Sequence, residues 1–219
     1  FFCKMKKLKY IFLLAGALSL ASCESWLDED PQYTINTKTQ FSTVENARQA
    51  LMGCYGYMSA DNAYGQAWQE VTFGYCGFGW SQTNGSSTDL LVSMDGGIDE
   101  TINTMAWRGM YKVIGETNAF IANIADSPLE SADKLPMEAA ARFLRALAYY
   151  NLAVTYGDVP LKTTPSAHDG VAVPRSPKNE VFELVRTDWE FAYENLPEKD
   201  DDGFATKWAA KAYLGKLYH

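Results

Sequence analysis

The chain has 219 residues, 47% hydrophobic, 14% aromatic and 21% charged, a balance that excludes disorder, collagen and coiled coil and leaves a folded chain unusually rich in rings. Nineteen basic residues stand against 27 acidic ones for a net charge of −8, and because Lys4, Lys6, Lys7 and Lys9 all fall near the start, the rest of the chain is more acidic still. A body of that sign repels nucleic acid and anionic membrane surfaces.

Residues 1–22 read as an export signal. Lys6, Lys7 and Lys9 form its basic start, Tyr10 to Leu20 its apolar run, and Leu20-Ala21-Ser22-Cys23 its small-residue processing site. The apolar run is shorter than the roughly 20 residues of a spanning helix. Met5 is the expected initiator, with Phe1 to Lys4 upstream of the true start. The pattern resembles a bacterial lipobox, in which the Cys23 thiol takes a diacylglyceryl group and the freed amine a further acyl chain. That anchors the protein without spanning the bilayer. The other reading is a plain secretory signal with an incidental cysteine. With Cys3 ahead of the start and Cys23 committed to lipid, only Cys54 and Cys76 remain, which is no disulfide framework. Cys54 reads as a buried thiol on an apolar helix face, and a bridge to Cys76 stays open in an oxidising compartment. His168 and His219 complete no metal pattern, and no cofactor is expected.

Helical periodicity then recurs along the chain. Val44, Ala47, Leu51, Cys54, Tyr55 and Met58 line one face behind a Ser42…Glu45 capping box. A second stripe runs Trp107, Tyr111, Ile114, Asn118, Ile121 and Ala125. A third helix opens near Pro136 and carries Ala140, Phe143, Leu144, Leu147, Asn151 and Val154 until Gly157 and Pro160 end it. A fourth has Ser176 as N-cap, Pro177 as its first residue and Val181, Val185, Trp189, Ala192 and Leu196 on its apolar face. A fifth starts near Thr206 and is still running at His219. The last two form a pair around the acidic turn Glu198 to Gly203, which reads as a solvated turn because the ligand spacing of a calcium loop is missing. The Ala/Leu/aromatic texture of residues 208 to 214 resembles tetratricopeptide helices, although the period of about 34 residues is loosened here. The final helix lacks a cap and a partner, so the chain is expected to be the N-terminal part of a longer protein.

Residues 59 to 103 differ from the rest. This segment holds Tyr64, Trp68, Phe73, Tyr75, Phe78 and Trp80, seven glycines, many Ser, Thr and Asn, and no Lys or Arg. It reads as an ordered ligand-binding or contact loop. Flat rings beside amides and hydroxyls suit a sugar, whose C–H faces stack while its hydroxyls pair at the rim. The missing cations argue against phosphorylated, sulfated or uronic ligands. The stacking candidates are Trp80, Tyr75, Trp68 and Phe78, with Gln82 and Asn84 at the polar rim; the competing reading makes the same rings interior core or a protein contact. There is no nucleophile elbow, phosphate loop, dinucleotide fingerprint or zinc helix. His168 reads as a surface-loop residue.

The segment Glu138 to Leu161, with Arg142-Phe143-Leu144-Arg145-Ala146, Tyr149-Tyr150, Tyr156-Gly157 and Val159-Pro160-Leu161, resembles the signature of the SusD/RagB outer-membrane nutrient-binding lipoproteins. It is joined in order by the lipobox, Trp26-Leu27-Asp28-x-x-Pro31, Trp107-x-x-x-Tyr111-x-x-Ile114-x-x-x-Asn118, Leu196-Pro197 and Thr206-Lys207-Trp208-Ala209-Ala210-Lys211-Ala212. The resemblance runs from Cys23 to the end, so that 23–219 is one SusD-like helical domain with 59–103 as its binding insertion, and family members are longer. It implies an all-α, tetratricopeptide-like scaffold, lipid-anchored at the outer face of the outer membrane. It also implies a TonB-dependent (SusC-like) transporter as partner and a non-catalytic role in oligosaccharide capture. Glu24 and Asp28-Glu29-Asp30 resemble the surface-export signals of such lipoproteins. Phe143 and the Tyr149-Tyr150 pair read as scaffold core. The alternatives are a helical-barrel glycosidase or lyase, which needs a convergent carboxylate pair, and a tetratricopeptide scaffold that binds a protein segment.

Overall fold

A threonine, rather than the expected serine, starts the first long helix. One turn, α1 (Thr37–Gln40), leads into α2 (Val44–Ser59), where the Thr43 hydroxyl accepts the Asn46 N–H at 3.2 Å and so satisfies one of the helix's orphan donors. Ser42 instead donates to the Thr39 carbonyl, and the Glu45 carboxylate accepts from Gln49. Ala47, Leu51, Cys54 and Met58 are buried as their spacing requires. The computed structural model describes residues 37–74, 76, 93, 101–165, 173–201 and 203–219. The signal, Cys23, Tyr75, Phe78, Trp80, Gln82, Asn84 and His168 lie outside them.

The segment expected as a loop from residue 59 begins as helix. A π-helical turn (Asp61–Gly65) is followed by α3 (Ala67–Gly74), and the next long helix, α4, already starts at Thr101 and runs to Ala125. The expected stripe on α4 is only partly the buried one. Ile114 and Asn118 are inside, Trp107, Tyr111 and Ile121 are half-buried, and Ala125 is exposed, whereas Ala106, Met110, Val113, Thr117, Phe120 and Ile124 are buried. The physical reason is that α4 packs on α2 and also on α5 (Ser131–Tyr156), so two of its faces leave water.

Helix α5 opens five residues before Pro136, because the Glu130 carbonyl accepts the N–H groups of Asp133 and Lys134. Pro136 then sits inside the helix, which loses one hydrogen bond there. Gly157, at φ +75°, ends it in a backbone conformation that other residues adopt with strain. Two short strands follow, β1 (Val159–Pro160) and β2 (Arg175–Ser176), paired antiparallel with Val159 opposite Ser176. Ser176 is thereby taken into the strand, and Pro177 becomes the cap of α6 (Lys178–Asn195). The Lys178 N–H is satisfied from a distance, by the Asp158 carboxylate at 2.9 Å. Helix α7 (Lys207–Leu217) starts behind Thr206 as expected but does not run on to His219: it ends with Tyr218 as its C-cap, whose N–H bonds the Leu214 carbonyl.

From α4 to α7 each helix packs on the one before it, and α2 packs on both α4 and α5. The core runs through all of them and includes Met110, Ile114, Ile124, Tyr149, Leu152, Val181 and Trp189. The fold is all-α with a minor two-stranded pairing among the described residues, and no helix there is long and apolar enough to cross a membrane.

Candidate functional site

The arginine pair of α5 points at α6. Arg145 donates through Nε and Nη2 to the two carboxylate oxygens of Asp188, both at 2.8 Å, and through Nη1 to the Asn118 side-chain oxygen at 2.8 Å. Asp188 is wholly buried and Arg145 is 5% exposed, so the pair persists only because its donors and acceptors are matched. Arg142 bridges Glu138 and Asp188 and lies 4.3 Å from the centre of the Phe191 ring. Asn118 carries the network onward, donating to the carbonyls of Lys162 and Thr164 at 3.0 and 3.2 Å. The Tyr149 hydroxyl donates to the Lys162 carbonyl and accepts its N–H, and the Tyr111 hydroxyl donates to the Pro160 carbonyl. Trp107 packs on Tyr111 and Tyr156 with ring centres 5.0 and 5.1 Å apart.

The signature residues therefore fasten the segment after Gly157 onto α4 and α5, and they are scaffold. Phe143 and Tyr149 are buried, and Tyr150 packs 5.4 Å from Trp189. The Arg145–Asp188–Asn118 network was not anticipated. Its one sequence signal is a polar residue on an otherwise apolar stripe, at Asn118 and again at Arg145.

The same helix ties down the start of the aromatic insertion. Asn151 of α5 donates to the Tyr64 hydroxyl at 2.7 Å, which fixes the π turn. A Cβ at Gly109 of α4 would stand 1.9 Å from the Asn62 carbonyl oxygen, so glycine is what lets the two backbones touch. On α3, Ala67, Trp68, Val71 and Gly74 face inward. Trp68, expected to stack on ligand, is instead core: it is 6% exposed, and its ring lies 6.4 Å from that of Tyr64. The outer face of α3 carries Gln69, Glu70, Thr72 and Phe73, which line a cavity of about 500 Å³. Phe73 is 60% exposed, a large apolar ring held in water within the ring-rich segment. Gln69 donates to the Tyr64 carbonyl and Gln66 to the Glu70 carboxylate, both at 2.6 Å, so these side chains have fixed positions.

Cys54 is buried, Cys76 is exposed, and no bond joins them. Burial pushes the Cys54 thiol up to about 12. The acidic turn is more than solvated: Asp200 and Asp201 accept from Arg48 of α2 at 2.7 and 3.0 Å, Arg48 lies over the Phe204 ring, and the Tyr55 hydroxyl accepts the Ala205 N–H. Among the described residues no group of three or more His, Cys, Asp or Glu is placed to hold a metal.

Known proteins share this fold. SusD-like protein P25 of Formosa agariphila is 26% identical over 223 residues, covering 95% of this chain and 42% of that protein. A SusD superfamily protein of Bacteroides thetaiotaomicron superposes with a TM-score of 0.71 at 25% identity, over 80% of this chain and 42% of that one. A structure solved with xylogluco-oligosaccharide gives a TM-score of 0.66 at 26% identity, over 77% and 34%. The chain spans about two fifths of the length of the curated relatives it matches. The family model for SusD-like proteins, described as starch-binding and associating with the outer membrane, matches residues 25–219. The chain belongs to the SusD-like family.

Proposed function

We propose that this protein captures neutral oligosaccharide at the outer-membrane surface, held by lipid on Cys23, and passes it unaltered to a TonB-dependent (SusC-like) transporter. The observation that carries the reading is Phe73, an exposed ring that lines a cavity together with amide, carboxylate and hydroxyl groups, within a segment rich in rings and free of Lys and Arg. Such a surface favours the C–H face of a sugar and offers nothing to an anion. Trp80, Tyr75 and Phe78 are the further stacking rings, and Gln82 and Asn84 the polar rim. Trp68, on the inner face of α3, anchors that helix to the core. Membership of a family described as starch-binding, and a similar structure solved with xylogluco-oligosaccharide, favour the same ligand class.

Calorimetry with xylogluco-oligosaccharide, laminarin oligosaccharides and maltoheptaose tests this. For whichever glycan binds, Trp80→Ala and Phe73→Ala should each weaken affinity by about 1 to 3 kcal/mol, roughly one to two decades in Kd, with the melting temperature nearly unchanged. Unchanged affinity in both variants places binding elsewhere, and preference for a uronic or sulfated glycan overturns the charge argument.

A further inference from the structure

A separate cavity of about 290 Å³ lies between α1, α2 and α4 and shares no described lining residue with the first. Its floor is apolar, built from Phe41 and Phe120, buried rings packed edge to face at 5.4 Å, with the Cys54 thiol beside them. Two packed helices normally fill such a space with aliphatic side chains. Here α2 places Gly53 in the wall, and a Cβ at that position would meet nothing within 4 Å. Neither close packing nor a positive φ accounts for a glycine there, and glycine weakens a helix interior. What it does is leave the hollow open.

The rim is polar and rich in acceptors. The Asn123 amide donates one N–H to the Ala119 carbonyl at 2.8 Å and that of Gln49 one to Glu45 at 3.3 Å, which fixes both side chains at the rim, each with an amide oxygen that can accept. Glu116 gives one oxygen to Lys112 at 2.5 Å and keeps the other. The same ammonium lies 4.8 Å from the centre of the Tyr57 ring, so Lys112 is matched by the carboxylate and the ring rather than offered to a phosphate or carboxylate ligand. Acceptors above an apolar floor suit hydroxyl donors on a ring with C–H faces. The volume is at the small end for ligand cavities.

We infer that this cavity binds one small neutral polyhydroxylated ring, of monosaccharide size, at a site independent of the aromatic segment. It stands apart from the proposed function, since it needs neither Trp80 nor the transporter.

The test is a titration of the 15N-labelled protein with D-glucose, D-galactose, D-xylose and L-arabinose, followed by NMR of the side-chain amides. Saturable shifts of Gln40, Gln49 and Asn123 are expected at millimolar concentration with at least one of the four sugars. Gly53→Leu, which fills the hollow, should weaken that binding at least tenfold, and Asn123→Ala should weaken it several-fold should the leucine disturb α2. Trp80→Ala should leave it unchanged while weakening oligosaccharide binding, which separates this site from the proposed one. The inference falls if none of the four sugars gives saturable shifts, if both cavity variants bind as the wild type does, or if Trp80→Ala abolishes the shifts.

Discussion

Removing the Asp188 carboxylate strands a guanidinium that has no route to water. Arg145 gives Asp188 two of its hydrogen bonds and keeps only Asn118, and at 5% exposure it cannot turn outward to be solvated. Arg142 is less affected, since its side chain is 26% exposed and retains Glu138. Breaking one partner of a buried pair typically costs about 3 to 5 kcal/mol, and a chain of this size loses about 2 to 4 °C per kcal/mol. Asp188→Ala should therefore lower the melting temperature by roughly 6 to 20 °C. Arg145→Met should do comparable damage by leaving the carboxylate buried. The double variant Arg145→Met, Asp188→Leu replaces the pair with apolar volume and should recover most of the loss, because neither ion then pays desolvation. Urea unfolding followed by far-UV circular dichroism gives the whole cycle. The reasoning is refuted if Asp188→Ala loses under about 1 kcal/mol, or if the double variant equals the sum of the singles, since either result means the network is not desolvated as described.

Two other expectations rest on single positions. Gly109→Ala drives a methyl into the Asn62 backbone and should destabilise by about 1 to 3 kcal/mol while also weakening glycan binding, because it displaces the π turn that carries α3; Gly56→Ala, open to solvent, should be neutral or stabilising by about 0.5 to 1 kcal/mol, and a thermal melt of both checks this. In alkali, burial holds Cys54 and Tyr55 protonated to about 12 each in the fold, whereas the unfolded chain ionises them near their ordinary values of 9.0 and 10.0. The unfolded state then binds fewer protons, so stability is full below pH 9 and falls as pH rises toward about 12. Urea midpoints between about pH 8 and 11 should show the first part of that fall removed in Cys54→Ala; an unchanged onset excludes the thiol as its source.

Spacing reads the buried face of α2 at Ala47, Leu51, Cys54 and Met58 and of α6 at Val181, Val185, Trp189 and Ala192. It does not read the ends of the stripes, where Val44 at the start of α2 and Val154 in the last turn of α5 are exposed. Starts differ by a residue where the expected cap has another use: the Ser42 hydroxyl bonds within the α1 turn, and Ser176 is drawn into the backbone pairing of β2. On α4 the phase shifted because a helix between two neighbours buries two faces, and no single stripe describes that. The first third of the insertion looked like loop because its glycines and rings outweighed the short apolar set Ala67, Trp68, Val71. Of the candidate site, Trp68 was misplaced by that reading and Phe73 was passed over. The charged network joins residues 43 apart, a distance at which spacing carries no signal. Of the residues read as scaffold core in α5, Phe143 and Tyr149 are buried and Tyr150 is half-buried against Trp189.

The clamp between α2 and the turn after α6 unites residues about 150 positions apart, Arg48 with Asp200 and Tyr55 with Ala205. The α4 to α5 and α6 to α7 pairings are local by comparison and can form while the chain is still incomplete. Closing so long a loop is entropically unfavourable until both ends are already shaped, so the clamp is expected to engage late, after the folding barrier. Contacts absent at the barrier leave the folding rate alone and slow escape from the native state. These partly exposed ion pairs, modest as equilibrium stabilisers, thus act as a latch that sets how long the fold lasts once it is made.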